Sequence, residues 1–428
     1  MSDHITTPEL RANFRHLYAD IIWYGILAGS TLAFIMIYVT RLGASSLQVS
    51  LITAGPAVIN LLFSPLAGRW LENRALIPVS FWSAALFRFG YFIIIPLAWF
   101  FADEKQISLI VLITLVSSIP GTVLAISFNA MFADIVPPDW RGQVVGRRNA
   151  YLAVSLTIAT LACGLILDRL VFPLNYQLVF GLGALGGAMS TYYIGRLRQS
   201  LPTPPKRINR PLGDLARPGL MRFVDTIRLP VGLRFLTRSA GKRLLRLDLL
   251  KGTMGRFLFA YLIFYIFQYM PIPIFPLAMV RHLHLTDGQI SLGSALFYLS
   301  MMIASLKLGA LSNRIGHRKM LVLSSLGYGL YPLLFGLARD VSLYLIASFI
   351  GGIVWALLSA SLVNRLMEVV SEEHRPAYMA LHNMVLNSGI LIGSLSAPVL
   401  TAALSLPEAL LVGGLLRTLA GFVLLLWG

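Results

Sequence analysis

The chain has 428 residues, 57% of them hydrophobic and 12% charged, with a formal net charge of +17 and a mean hydropathy of +0.75. A soluble domain of this size carries roughly twice that charged fraction, and the apolar residues lie in long blocks instead of the short alternating runs of a sheet, so a soluble fold is excluded. The single cysteine, Cys163, excludes a disulfide scaffold and a thiolate metal site.

The first sixteen residues lack the basic start, short apolar core and small-residue exit of a cleaved leader. Thr6, Thr7, Pro8 and Glu9 read instead as a helix start, so the first membrane helix is expected to be retained. A helix needs about 20 mostly apolar residues to cross a bilayer. Such spans are expected near 18–40, 46–67, 76–101, 107–131, 145–167, 174–196, 254–278, 287–311, 319–337, 341–364, 379–403 and 407–428. The expected fold class is an all-α polytopic membrane protein of twelve transmembrane helices in two pseudo-symmetric six-helix bundles.

An even number of spans puts both termini on one face. With that face cytoplasmic, the opposite loops hold only Arg41, Lys105, Arg169, Arg281 and Arg339, while Arg88, Lys307 and Arg417 fall inside spans. Every other Lys and Arg then lies in a cytoplasmic loop or at the cytoplasmic end of a span, as the positive-inside rule requires. The expected location is the plasma (bacterial inner) membrane, spanned many times, with both termini in the cytoplasm.

From Arg196 to Arg256 there are 15 basic residues and three acids, Asp214, Asp225 and Asp248. The segment opens on Leu201-Pro-Thr-Pro-Pro205 and continues with Arg every few residues among Leu, Phe, Ile and Val. It reads either as a positive linker that pins topology or as one or two amphipathic helices on the anionic inner leaflet. It lacks the stacking aromatics of a nucleic-acid site. The expected division is an N-terminal six-helix half over 1–197, a basic cytoplasmic linker over 198–253 and a C-terminal six-helix half over 254–428.

The halves share two repeats. Ala133-Asp-Ile-Val-Pro-Pro-Asp-Trp-Arg141 resembles Met367-Glu-Val-Val-Ser-Glu-Glu-His-Arg375, pairing Asp134 with Glu368, Asp139 with Glu373, Arg141 with Arg375 and Asn149 with Asn383 at an offset of 234. Gln48-Val-Ser-Leu51 meets Gln289-Ile-Ser-Leu292, and Gly68 meets Gly309, at an offset of 241. Two such halves can rock about a central site and expose it to each side in turn.

Gly309-Ala-Leu-Ser-Asn-Arg-Ile-Gly-His-Arg-Lys319, in the turn between spans 8 and 9, resembles the signature loop of the major facilitator superfamily, Gly-x-x-x-Asp-Arg-x-Gly-Arg-Arg/Lys. Asn313 stands where the family prefers Asp, and His317 replaces a basic residue. The matching loop of the first half, Gly68-Arg-Trp-Leu-Glu-Asn-Arg74, is shorter but keeps an acid, Glu72. The resemblance covers nearly the whole chain and singles out no subfamily. It implies a cytoplasmic charge network of Glu72, Arg74, Asp134, Arg141, Gly309, Asn313, Arg314, Glu368 and Arg375. Arg74 and Arg314 would pair there with Asp134 and Glu368, either biasing an inward-closed state or only marking loop ends. Exposed pairs contribute about 0–1 kcal/mol each, enough to tune an equilibrium and not to set it.

Candidate hinges are Gly55-Pro56 and Pro65, Pro120-Gly121, the trio Pro271, Pro273 and Pro276, and Gly389, Gly393 and Pro398. The family arrangement implies a cavity lined by spans 1, 2, 4, 5, 7, 8, 10 and 11. Tyr24, Asn60, Asn129, Tyr265, Gln268, Tyr269, Trp355, His382 and Asn387 lie on those spans; each is otherwise an interhelix hydrogen bond. Arg88 and Arg417 are expected to pair within a half or to snorkel. No Asp or Glu is expected deep in a span; Asp20, Asp134, Asp168, Glu368 and Glu408 are placed near interfaces. That weakens a proton-coupled reading, although His382 remains a candidate.

The expected function is a secondary transporter moving a small organic solute by alternating access, not an enzyme, with no cofactor and no metal. Its partners would be the solute and the lipid bilayer at the basic linker, with no nucleic acid, and the chain is expected to be monomeric. A transporter-fold protein of assembly or sensing role and a lipid-modifying membrane enzyme are the alternatives.

Overall fold

A computed structural model describes residues 8–71, 74–199, 252–307, 311, 314–370 and 375–428, without the side chains of 253, 363 and 375–377. Among the described residues, twelve helices are long and apolar enough to cross a membrane. They are α1 (Pro8–Arg41), α2 (Ser46–Trp70), α3 (Leu76–Ile94), α4 (Asp103–Ile135), α5 (Pro138–Arg169) and α6 (Leu174–Gly195), then α7 (Met254–His282), α8 (Asp287–Leu306), α9 (His317–Leu337), α10 (Val341–Val369), α11 (Tyr378–Ala403) and α12 (Leu406–Trp427). No strand occurs among the described residues.

The repeat of Gln48 and Gln289 has a physical meaning. Ser45 and Gln48 form a capping box at the start of α2, and Thr286 and Gln289 form the same box at the start of α8. In each, a hydroxyl and an amide satisfy orphan N–H groups reciprocally. The repeat of Asp134 and Glu368 marks matching helix ends, since α4 closes at Ile135 and α10 at Val369. Arg141 reaches back to cap α4, donating to the carbonyls of Val136 at 3.0 Å and Ala133 at 2.7 Å.

Helix α9 is interrupted at Gly329, and α1 and α7 also depart from regular geometry. In α1 a π-helical turn spans Ala28–Leu32, where Gly29 lies so close to α5 that a Cβ would stand 2.5 Å from the Leu156 carbonyl. In α7 the regular helix ends at Tyr269 and resumes at Ile274. Pro271 and Pro273 have no N–H to donate, and the Ile272 N–H turns to Tyr269 O, which frees the Gln268 carbonyl. Arg417 of α12, fully buried, fills it with a donated hydrogen bond. By contrast Pro56, Pro65, Pro120 and Pro398 sit inside continuous helices.

In the first bundle α1 packs on α5 and α6, α3 on α4 and α6, and α2 on α4; in the second α7 packs on α11 and α12, α8 on α10, and α9 on α10 and α12. The bundles meet along two seams, α2 with α11 and α5 with α8. The outer surface carries apolar residues such as Leu62, Trp82, Ile158 and Leu323, the face such helices turn to lipid. Arg88, Arg148 and Arg417 are buried inside instead, because a charge facing hydrocarbon is expensive.

Candidate functional site

A cavity of about 530 Å³ is lined by α1 to α6 of the first bundle and by Tyr269, Ile272 and Tyr298 of the second. Its wall is largely aromatic and aliphatic, with Tyr24, Phe87, Tyr91 and Phe128 among its rings, and three charged side chains interrupt it: Asp20, Arg88 and Arg148.

These charges are held from different helices. Arg148 donates to Asp20 Oδ2 at 3.0 Å and to the Leu17 carbonyl at 2.7 Å, and its guanidinium lies 5.0 Å from the Phe128 ring centre. The second Asp20 oxygen accepts from Ser190 at 2.5 Å. Arg88 donates to Thr191 Oγ1 at 2.8 Å and the Gly187 carbonyl at 3.4 Å, and it lies 5.9 Å from the Tyr24 ring centre. Asp20 is 3% exposed, buried by its neighbouring helices about 18 Å along α1 from Pro8 at 1.5 Å per residue. Arg148, counted with the cytoplasmic loops on sequence grounds, sits about 15 Å into α5 by the same measure. The available signal was the run of helix-compatible polar residues before each apolar window, which lengthens the helix past the hydropathy peak.

Of the nine residues expected around a cavity, Tyr24, Asn60 and Tyr269 line it. Asn60 joins the bundles, because its Nδ2 donates to Asn387 Oδ1 at 3.2 Å while its Oδ1 accepts from Thr122 at 2.6 Å. The other six stand outside the lining. Asn387 is turned into its own helix, donating to Asn383 O at 2.8 Å, and Asn129 likewise donates to Ala125 O at 2.7 Å. Tyr265 and His382 bond each other at 2.9 Å. Trp355 packs on Tyr328, centroids 5.1 Å apart, and Tyr328 in turn faces Arg417 at 4.5 Å. Gln268 is buried, and its carbonyl is the acceptor for Arg417.

The face opposite the termini is tied together across the bundles. Arg41 pairs with Asp287 at 2.8 Å and donates to the Leu285 carbonyl at 2.9 Å. Tyr176 donates to Asp287 at 2.8 Å, and Arg281 to Ala44 O at 2.6 Å. Asp168 accepts from Thr286 Oγ1 at 3.2 Å and from the Gly288 N–H at 2.8 Å, at the α8 N-terminus. Of the charge network expected on the terminus-bearing face, Arg74 lies 4.2 Å from the Trp70 ring centre, Glu368 pairs with Arg365 at 2.9 Å, Arg314 is exposed and Arg141 caps α4. Asp134 lies in the last turn of α4. Glu72, Gly309, Asn313, the Arg375 side chain and residues 200–251 of the linker lie outside the described residues.

Twelve apolar helices in two bundles, with a cavity walled mainly by the first, define an integral multi-pass membrane protein of transporter architecture. The model of the Major Facilitator Superfamily matches residues 22–246 and 257–428. The chain belongs to that superfamily, and its fold is that of the superfamily's transporters. Among solved structures it is similar to a point mutant of the nucleoside transporter NupG (TM-score 0.71, 12% identity, covering 97% of this chain and 99% of that one). A bacterial homologue of the iron transporter ferroportin in its inward-facing state gives a TM-score of 0.69 at 13% identity, covering 98% of each chain. The human organic anion transporter MFSD10 gives 0.61 at 14% identity, covering 98% of this chain and 100% of that one. Multidrug resistance protein 2 of Bacillus subtilis (strain 168) is 26% identical over 122 residues, which are 28% of this chain and 30% of that protein. The match thus spans under a third of that curated relative's length.

Proposed function

We propose that the chain moves a small organic solute across a bacterial inner membrane by alternating access, with both termini in the cytoplasm. The observation that carries this reading is the pairing of one cavity between the bundles with a far face closed by contacts that all cross from one bundle to the other. Those contacts can be made in one state and released in another without unfolding either bundle. The Arg distribution supports the orientation, and the local similarity to a multidrug resistance protein is compatible with an amphipathic solute. The charge network around Arg74, Asp134, Arg314 and Glu368 would tie the opposite face when the far face opens, and the monomer is the working unit.

Cross-linking tests this. Cysteines at Asp168 and Thr286, in a Cys163→Ser background, can be bridged by a reducible bis-thiosulfonate reagent in proteoliposomes. Flux of labelled solutes drawn from a metabolite and drug panel is expected to stop on bridging and to return on reduction. Flux indifferent to the bridge would refute alternating access. No flux of any solute by the unbridged protein would favour an assembly or sensing role, and release of a lipid head group would favour an enzyme.

A further inference from the structure

The ionisable groups in the cavity wall do not balance. Two guanidinium groups, Arg88 and Arg148, face one carboxylate, Asp20. Arg148 is committed to Asp20 and to the Leu17 carbonyl, and both oxygens of Asp20 are engaged, one by Arg148 and one by Ser190. Arg88 is 4% exposed, has no carboxylate within ion-pair distance among the described residues, and is held by neutral acceptors, Thr191 and the Gly187 carbonyl. Its Nε has no hydrogen-bond partner among the described residues. A buried cation with an unsatisfied donor is costly, and an arriving oxyanion offsets the charge through a charge-assisted hydrogen bond to the guanidinium.

From this imbalance we infer that the cavity selects amphipathic organic monoanions: an oxyanion head group, such as a carboxylate, received by Arg88, with an apolar body among Tyr24, Phe87 and Tyr91. The rings limit the anion to an organic one, since a small hydrated inorganic ion gains nothing from aromatic walls. Asp20 sets the valence. It cancels Arg148, so one positive charge is left and a dianion would keep an uncompensated charge in the wall. Cations are disfavoured by the same sum, because the wall already carries a net positive charge. The inference rests on the transport reading for its biological sense, while the recognition it describes is a binding property.

The test uses purified full-length protein in lipid nanodiscs and calorimetric titration with matched probes: 2-naphthoate, 2-naphthamide and 2-naphthylmethylamine, then the same three head groups on benzene and on anthracene. On at least one frame the carboxylate is expected to bind ten-fold or more tighter than the amide, with the amine weaker than both. Arg88→Gln is expected to erase the carboxylate-over-amide ratio, and Arg88→Lys to restore part of it. Asp20→Asn is expected to raise the ratio, a gain that misfolding cannot imitate. Carboxylate and amide binding alike on every frame, tighter binding of the amine, or an unchanged ratio in Arg88→Gln would each overturn the inference. Binding and flux separate the two readings. An Arg88-dependent anion preference without uptake into vesicles would refute transport and keep the site. Uptake confined to neutral or cationic solutes would refute the site and keep transport.

Discussion

Asp20 and Arg148 form an ion pair at 3.0 Å between α1 and α5, 128 residues apart in the chain, with side chains only 4% and 8% exposed. Desolvation of two charges in a bundle interior is repaid only when geometry and additional hydrogen bonds are good. Ser190 and the Leu17 carbonyl supply those bonds. The pair pins the terminus-bearing halves of α1, α5 and α6 to one another, beside Arg88 on α3.

Removing one member leaves the other charged and buried. Asp20→Ala or Arg148→Ala should each destabilise the first bundle by about 3–5 kcal/mol, seen as a large fall in the thermal unfolding temperature of the detergent-solubilised protein. The double variant Asp20→Ala/Arg148→Ala should lose clearly less than the sum of the singles. Additive losses would show that the two charges are not coupled.

The Arg41–Asp287 pair should act on conformation more than on stability. Hydrogen bonds to charged groups are worth about 1.5–3 kcal/mol, and a loss of 1–2 kcal/mol shifts a two-state ratio by about 5- to 30-fold. Arg41→Ala should therefore raise, by roughly ten-fold, the rate at which an impermeant thiol reagent reaches Thr53→Cys from the far face, in a Cys163→Ser background. An unchanged labelling rate would show that the pair does not hold that face closed.

Two glycines should separate bundle stability from bundle docking. A Cβ on Gly29 stands 2.5 Å from the Leu156 backbone carbonyl within the first bundle. Backbone cannot step aside cheaply, so Gly29→Ala should cost about 1–3 kcal/mol of stability, as overpacking does. A Cβ on Gly164 meets the Ser291 side chain across the α5–α8 seam. Gly164→Val should wedge the seam and speed far-face labelling of Thr53→Cys, with a smaller change in unfolding temperature than Gly29→Ala. The reverse ranking would contradict the packing described.

The Thr122–Asn60–Asn387 chain should be read by a double-mutant cycle. Asn60→Ala and Asn387→Ala each remove a bond at the α2–α11 seam, where a net hydrogen bond is worth about 0.5–1.5 kcal/mol. A coupling energy of that size in thermal unfolding is expected between the two variants; none would mean that the 3.2 Å contact carries no energy.

Much of the fold was legible because the bilayer imposes local rules. Each of the twelve helices announces itself in its own stretch of about 20 residues, since a spanning segment must be apolar and must satisfy its backbone internally. Gln48 and Gln289 were legible as a repeat, and their role follows from the capping box each completes. Pro271 and Pro273 marked the break in α7 for the same local reason. Tyr24, Asn60 and Tyr269 were found as polar residues on cavity-facing helices, but Tyr265, Gln268, Trp355 and His382 carry the same signal and are used in packing.

Asp20 and Arg148 illustrate the remainder. Near a span end, an acid or an arginine looks like a boundary mark, and only the packing of α1 on α5 and α6 buries these two. Arg41 and Asp287 are 246 residues apart, and neither shows in its own neighbourhood that the other is its partner. The sequence by itself determined a twelve-helix membrane protein, its repeat and its family, because composition, caps and prolines act within a turn or two of helix. Only the tertiary structure decided which charges meet, that the first bundle supplies most of the cavity wall, and that Arg88 has no carboxylate at ion-pair distance among the described residues. Those outcomes depend on how each helix is rotated and slid against its neighbours, and that is set by packing across the whole bundle.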